Sequence, residues 1–264
     1  MSSIIPPDLL LKAYRSGIFP MADSRDDPEI FWIEPKRRAI LPLDGFHCSR
    51  SLAKALRSGR FTVTCNAAFD DVIAACAAPR PDHPDSWISE RIAASYRTLH
   101  AASHAHSIEC WQGGKLVGGL YGVGFDRVFC GESMFSRATN ASKIALAWLV
   151  AALRHAGVEL LDCQFITGHL ASLGAIEISQ NAYLDRLMQA QDQRGAGWLS
   201  LPEGFAALLA AAGAAASAGA AGTLGAADAA GDLGAGVDGV APEGALSPAS
   251  SPGKFIAQSL THTS

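Results

Sequence analysis

Two short apolar runs that carry polar side chains, joined by one helical segment, constrain the fold of this chain most. Residues 127–135 and 158–165 are predicted strands, because each is a near-continuous apolar stretch of strand length. Residues 141–155 have apolar side chains at helical spacing, and Gly157 follows as a typical helix stop. A strand, a crossover helix and a second strand predict two parallel neighbours in one sheet.

Segments upstream of this unit extend the predicted sheet. Residues 107–112 and 115–123 flank the turn Gly113-Gly114 and are predicted to form a β-hairpin. Further upstream we predict a helix over 49–57 and a strand over 61–64. The order of these elements indicates an α/β (α+β) fold class with a mixed sheet.

The end of the chain differs in composition from the rest. Residues 205–252 are almost all Ala and Gly and contain no Lys or Arg. Because Gly costs about 1 kcal/mol per helical site relative to Ala, and few large side chains supply a core face, we predict that this segment is disordered. Apolar residues return after it and predict a last strand within 253–264.

The charge of the chain carries no information about partners. Its net charge is −4, but four of the 25 acidic residues lie in the Ala/Gly-rich segment, so 21 acids balance 21 bases in the remainder. The six cysteines stand singly without a CxxC motif, and neither a secretory leader nor a membrane-spanning run is apparent. We therefore expect a cytoplasmic location, reduced thiols and no membrane contact.

Three polar residues near the ends of the two predicted strands are candidate site residues. Asp162 and Gln164 lie two apart on one strand and are predicted to share a face, and Glu132 lies on its neighbour. Because a buried carboxylate is costly, such a cluster indicates a site. Alternation places Cys163 in the core, which argues against a nucleophile. A buried polar network that fixes the strand register is the alternative.

Histidines and basic residues form two further patterns. His100, His104 and His106 with Cys110 have no convincing zinc spacing, so structural or surface roles are favoured over metal binding. Seven bases and a single acid occur between residues 36 and 60. Three of these bases share one helix face at i, i+4 and i+7, which fits either a solvated face or contact with a nucleic-acid backbone: Arg50, Lys54 and Arg57.

Eight segments spread over residues 9–190 form a recognisable set. They are AYRSGIFP (13–20), SRSL (49–52), AHSIE (105–109), LVGGLYG (116–122), CGESMFS (130–136), ASK (141–143), DCQ (162–164) and ASLGA (171–175). In this order they resemble the leucyl/phenylalanyl-tRNA–protein transferase family. The resemblance implies a domain similar to GNAT acetyltransferases over 65–204, preceded by a smaller α/β domain over 1–64.

The resemblance also implies a reaction and its participants. Leu, Phe or Met would move from its tRNA to the amino-terminal Arg or Lys of a protein, which marks that protein for degradation. The ester of an aminoacyl-tRNA is already activated, so positioning and deprotonation of the attacking amine suffice. The implied enzyme is a monomer, and neither a cofactor nor a metal is implied.

Residue roles follow from the resemblance, position by position. Gln164 would accept a hydrogen bond from the attacking amine, Asp162 would orient or polarise Gln164, and Glu132 would meet the charge of the acceptor. Trp87 and Tyr96 would lie near the terminal adenosine, and Arg50, Lys54 and Arg57 would contact the tRNA backbone. The donor side chain would occupy an apolar pocket formed by Leu120, Phe129, Met134, Leu146, Leu149, Leu153 and Leu161.

Two other classes of protein are alternatives for this sequence. An acyl-CoA-dependent acetyltransferase normally has a basic, glycine-rich turn after the third long strand, but residues 135–142 contain no glycine. A non-catalytic RNA-binding module would leave Glu132, Asp162 and Gln164 without a role. Both alternatives are therefore less well supported than an aminoacyltransferase.

Overall fold

The computed structural model describes residues 4–79, 85–192, 200–224 and 252–261. The helices in these ranges are α1 (Pro7–Arg15), α2 (Arg50–Arg57), α3 (Phe69–Ala77), α4 (Glu90–Ala101), α5 (Ala141–Ala156), α6 (Gly168–Ala171), α7 (Gln180–Asp192), α8 (Leu201–Leu224) and α9 (Pro252–Thr261). The strands are β1 (Phe19–Met21), β2 (Phe31–Ile33), β3 (Arg37–Ile40), β4 (Thr62–Cys65), β5 (Ala105–Gln112), β6 (Lys115–Phe125), β7 (Val128–Ser136), β8 (Leu160–Gln164) and β9 (Ile176–Ser179).

A seven-stranded mixed sheet organises the described residues. Its strand order is β4-β5-β6-β7-β8-β3-β9, and β1 and β2 form a separate antiparallel pair. The β7 and β8 strands are parallel, while the other neighbours in the large sheet are antiparallel. The mixed α/β class, the hairpin and the parallel crossover through α5 are thus confirmed.

Helices cover both faces of the large sheet and divide the core in two. Side chains of α2, α5, α8 and α9 pack on one face, in a cluster that contains Trp148, Leu208 and Ile256. Side chains of α1, α3, α4 and α7 pack on the opposite face, in a cluster that contains Tyr14 and Tyr96. Both faces of β7 and β8 are therefore buried, which explains their apolar sequences.

The predicted small amino-terminal domain shares strands with the large sheet. The β3 strand lies between β8 and β9, and β4 forms the opposite edge beside β5. Both strands fall largely within residues 1–64, so the backbone hydrogen bonds of the large sheet extend into that segment. The β1–β2 pair and α1 are parts of the segment that lie outside this sheet.

The prediction of disorder is wrong for residues 205–224, which belong to α8. Phe205, Leu208 and Ala212 lie at helical spacing and are buried, and Phe205 and Leu208 belong to the same core cluster as α5. A Cβ at Gly204 would lie 2.6 Å from the Ala152 carbonyl oxygen, so glycine permits the close approach of the two helices. Residues 225–251 lie outside the described residues.

The predicted carboxy-terminal strand is also wrong, because its residues form α9. Ile256, Ala257 and Leu260 are buried against α2 and α5. A helix places these three apolar side chains on one face, whereas a strand would place Ala257 opposite the other two. Within the described ranges, no helix has both the length and the hydropathy needed to cross a bilayer.

Candidate active site

A cavity of about 530 Å³ opens where β7 and β8 separate. The two strands pair only from Val128 with Leu160 to Cys130 with Asp162. Beyond this point β7 continues along β6 as far as Ser136, and β8 ends at Gln164. The gap between the strands exposes side chains from both to the cavity, which includes Glu132, Cys163 and Gln164 in its lining.

A β-bulge aims Glu132 into this cavity. Tyr121 pairs with Ser133 and Gly122 pairs with Gly131, so Glu132 is the extra residue of β7. Strict alternation would put Cys130 and Phe135 on opposite faces, yet both belong to the same core cluster. The bulge therefore lets Glu132 and Phe135 share one face while Met134 packs toward α5.

Tyrosine hydroxyls surround the Glu132 carboxylate. Tyr96 donates a hydrogen bond to Glu132 Oε2 at 2.8 Å, and the Tyr14 hydroxyl is hydrogen-bonded to that of Tyr96. Burial raises the pKa of Glu132, and the hydrogen bonds from these two tyrosines lower it. Burial is the larger effect, so the pKa is about 7. Glu132 makes no ion pair with another described residue, so its carboxylate has no counter-charge within that part of the protein.

Asp162, in contrast, is fully buried in an ion pair with Arg38. The Arg38 Nε lies 2.8 Å from Oδ1 and Nη2 lies 2.6 Å from Oδ2, and the Tyr183 hydroxyl donates to Oδ2 at 3.1 Å. The rings of Phe19 and Tyr183 have their centroids 4.6 and 4.5 Å from the guanidinium carbon. Asp162 does not line the cavity. Asp162 therefore influences the site indirectly, through the residues to which it is hydrogen-bonded.

One of these residues is Gln164, whose backbone conformation depends on Asp162. Gln164 has a left-handed φ of 57°, and its backbone N–H donates to Asp162 Oδ1 at 2.9 Å. In the side-chain orientation that satisfies the amide, Nε2 donates to the Gly131 oxygen at 2.7 Å and the Cys163 oxygen at 3.3 Å. Oε1 then faces Glu132, so two acceptors converge on one place in the cavity.

The apolar part of the cavity contains five of the seven residues predicted for a donor pocket, together with Trp87. These five are Leu120, Met134, Leu146, Leu149 and Leu161. Phe129 and Leu153 are buried in the adjoining core cluster and do not line the cavity. Tyr96 also lies outside the lining and contacts the cavity through Glu132.

Cys163 lies in the cavity wall rather than in the core, contrary to the prediction from alternation. It is partly exposed, because the sheet opens between β7 and β8 at this level. Burial and the Asp162 carboxylate raise the pKa of the thiol well above its ordinary value. A protonated thiol is a poor nucleophile, so the chemistry of the cavity does not depend on it.

Two of the histidines are hydrogen-bonded within the fold. His106 Nδ1 lies 3.0 Å from the Asn66 amide nitrogen, and the His100 ring is hydrogen-bonded to the Ala105 oxygen. Burial lowers the pKa of His106 to about 4, so the ring is neutral. Among the residues that the structure describes, no group of three or more potential ligands is arranged to hold a metal ion.

The basic residues of the amino-terminal half have two different environments. Arg50, Lys54 and Arg57 are exposed on α2, while Leu52 and Leu56 of the same helix are buried. Arg38 belongs to the same basic run of the sequence, but it is buried against Asp162. The apolar run 39–41 directly after Arg38 is the signal that distinguishes it from an exposed base.

The sequence analysis also missed two tyrosines. Tyr14 reaches the site through Tyr96, and Tyr121 lines the cavity beside Glu132. Tyr14 lies in a segment that carries the family resemblance, but its helical pattern predicts only a core position. Nothing in the spacing of Tyr121 distinguishes it from an ordinary strand residue.

Known proteins of one family are similar to this chain over most of its length. The leucyl/phenylalanyl-tRNA protein transferase family matches residues 40–188, and the amino-terminal domain of that family matches 4–36. A leucyl/phenylalanyl-tRNA–protein transferase of Novosphingobium aromaticivorans is 65% identical over 260 residues, which cover 98% of this chain and 97% of that protein. Another, of Rhodospirillum rubrum, is 49% identical over 209 residues, which cover 79% and 98%.

These matches first define the class of the chain, which is an aminoacyltransferase. More closely, the chain belongs to the leucyl/phenylalanyl-tRNA protein transferase family, as the eight sequence segments predicted.

Proposed function

We propose that this chain transfers Leu, Phe or Met from an aminoacyl-tRNA to the amino-terminal Arg or Lys of a protein. The new peptide bond creates a degradation signal, and the enzyme works as a cytoplasmic monomer without a cofactor. The observation that carries the proposal is one cavity with an apolar wall and two convergent acceptors, Glu132 and Gln164. Family membership supplies the class of reaction.

The apolar wall suits the side chain of the donor. Leu120, Met134 and Leu149 offer methyl and thioether groups without a hydrogen-bonding partner for a polar side chain. Such a pocket separates Leu, Phe and Met by only about 1–3 kcal/mol per methylene, so relaxed selectivity among them follows. Trp87 belongs to the same lining, and we assign to it the contact with the nucleoside to which the amino acid is attached.

The reaction needs an amine held against the ester carbon. The attacking α-amine donates a hydrogen bond to Gln164 Oε1, while Nε2 anchors the amide to two backbone oxygens. The C–N bond forms, the C–O bond to the tRNA ribose breaks, and the amine proton ends on the released ribose hydroxyl. Asp162 is a positioning residue here, since it holds the backbone of Gln164 in its left-handed conformation.

Glu132 accounts for the preference for a basic acceptor. A carboxylate without an ion-pair partner in the described protein gains one when Arg or Lys enters the cavity. A neutral side chain would leave it desolvated and unpaired, which disfavours such acceptors.

Transfer of labelled Leu from Leu-tRNA to matched peptides that begin with Arg, Lys or Ser tests the function. We expect label on the Arg and Lys peptides and none on the Ser peptide. Label on all three would contradict the acceptor assignment. Absence of transfer from Leu-, Phe- and Met-tRNA would contradict the function itself.

The variant Gln164→Ala tests the site. We expect transfer to fall by about a hundredfold or more, because the acceptor for the amine is removed, while tRNA binding is retained. Gln189→Ala, an exposed glutamine on α7, is the matched control and should transfer normally. Undiminished transfer by the double variant Gln164→Ala/Asp162→Ala would refute the assignment.

A further inference from the structure

The Tyr121 hydroxyl is a buried polar group that the roles above do not use. The side chain is fully buried, and its oxygen has no hydrogen-bond partner among the residues that the structure describes. Native proteins rarely leave a buried hydroxyl unpaired, because burial removes its hydrogen bonds to water. Tyr121 is also one of the residues that line the cavity, next to Glu132 in that lining.

The position of Tyr121 is set by the bulge that aims Glu132. Tyr121 pairs with Ser133, the residue directly after Glu132, and its hydroxyl lies in the electrostatic field of that carboxylate. The ring packs edge-to-face against Tyr96 and Phe69, with centroids 5.4 and 6.0 Å away. These contacts hold the ring while leaving its oxygen unsatisfied.

A cationic side chain has more donors than Glu132 alone satisfies. A guanidinium has five N–H donors and an ammonium has three. One Glu132 oxygen already accepts from Tyr96, and the Gln164 oxygen that faces Glu132 is engaged by the attacking amine in the function proposed above. Because a desolvated cation needs its donors paired, a second acceptor beside Glu132 is required. Burial raises the pKa of Tyr121, so its oxygen remains a neutral hydroxyl.

We propose that the Tyr121 hydroxyl accepts a hydrogen bond from the basic side chain of the acceptor's amino-terminal residue, and that Tyr121 and Glu132 together select Arg and Lys. This inference rests on the proposed function and extends it to a specificity-determining residue. The hydroxyl proton is then free to point away from the cation. The competing possibility, that the hydroxyl donates to an oxygen of the aminoacyl-tRNA, is an outcome of the test.

The variant Tyr121→Phe removes the oxygen and keeps the ring. We expect the KM for Arg and Lys peptides to rise by about tenfold or more, on the scale of one hydrogen bond to a charged group. The kcat and the KM for Leu-tRNA should stay within about twofold of the parent values. The free energy of unfolding should not fall, because the removed hydroxyl has no partner within the described protein. This last readout separates substrate contact from a structural role.

Thr98→Val is the matched control, because it removes a hydroxyl from α4 that bonds to the Ala94 oxygen of its own helix. It should leave both KM values unchanged. An unchanged acceptor KM in Tyr121→Phe would overturn the inference, as would a rise confined to the KM for Leu-tRNA. Both of these results can be obtained only if the parent enzyme is active. If the parent enzyme transfers nothing, the proposed function is overturned instead.

Discussion

Two acidic residues of the site are stabilised in opposite ways. Asp162 has a protein partner for its charge, since Arg38 binds both of its oxygens. Glu132 accepts hydrogen bonds from neutral groups, and burial raises its pKa to about 7. A carboxylate whose charge is already compensated is suited to hold structure. A carboxylate that still lacks a cation is suited to bind one.

The pKa of Glu132 predicts a pH dependence for binding of a basic side chain. Below about pH 7 the carboxyl is protonated and neutral, and above it the carboxylate attracts a cation. We expect the inhibition constant of an α-N-acetylated Arg peptide to fall by about tenfold from pH 6 to pH 8. The acetyl group removes the titration of the α-amine, and the guanidinium does not titrate in this range.

Glu132→Gln is the control for this dependence, because an amide does not titrate. Its inhibition constant should be higher than that of the parent at pH 8 and flat across the range. The same pH slope in both proteins would show that another group is responsible.

At this scale the sequence identified the polar residues but not all of their partners. Glu132, Asp162 and Gln164 could be predicted together because each interrupts an apolar strand. The apolar run 39–41 indicates that Arg38 is buried, but its pairing with Asp162 could not be predicted, since the partner lies 124 residues away. Tyr121 could not either, because an unpaired hydroxyl is a property of the packed structure.

Among the elements, the β6–β7 pair determines where the site lies. A regular hairpin would leave no extra residue at position 132, and the bulge depends on a close approach of the two strands. A Cβ at Gly122 would overlap the Cys130 oxygen and lie 2.5 Å from the Phe129 ring. Glycine at this position is therefore needed for the bulge to form.

Gly122→Ala should destabilise the protein by about 3 kcal/mol and lower transfer, because the clash displaces the backbone around Glu132. Gly124→Ala, on the same strand, is the matched control: the added Cβ would meet its nearest atoms at 3.6 and 3.7 Å, an ordinary contact distance. Denaturant unfolding of both variants measures the difference. Equal stabilities would contradict a steric requirement at Gly122.

Elements with a strong local pattern were predicted, and elements that depend on packing were not. The hairpin and the crossover around α5 are encoded by alternation, helical spacing and glycine stops. The first part of α8 forms a helix because α5 offers a surface for Phe205 and Leu208. Its composition alone favours disorder, so only the tertiary contact decides.

Viewed as a whole, the molecule has its cavity and the exposed bases of α2 in different places. The cavity lies between β7 and β8, while Arg50, Lys54 and Arg57 are exposed on α2, outside the cavity lining. We propose that the tRNA backbone contacts this helix while the aminoacyl end enters the cavity. Backbone contacts of this type depend on salt and are largely independent of tRNA sequence.

Replacing Arg50, Lys54 and Arg57 with Ala should weaken Leu-tRNA binding and reduce its salt dependence. The slope of log affinity against log salt should decrease by about one for each phosphate that is no longer neutralised. Arg97→Ala, which removes a partly exposed base of α4 that is paired with Asp70, is the control and should keep the parent slope. An unchanged slope in the triple variant would place the tRNA elsewhere on the molecule.

The pairing of Arg38 with Asp162 has a consequence for biosynthesis. During translation Arg38 leaves the ribosome long before Asp162, which lies 124 residues later in the chain. The β3 strand, which carries Arg38, lies between β8 and β9 in the sheet, and both of these strands are synthesised much later than β3. Until the β3 strand docks, the Asp162 carboxylate lacks the counter-charge of Arg38. A nascent chain that ends before Gln164 therefore contains Arg38 but lacks both its ion-pair partner and the Gln164 amide of the site.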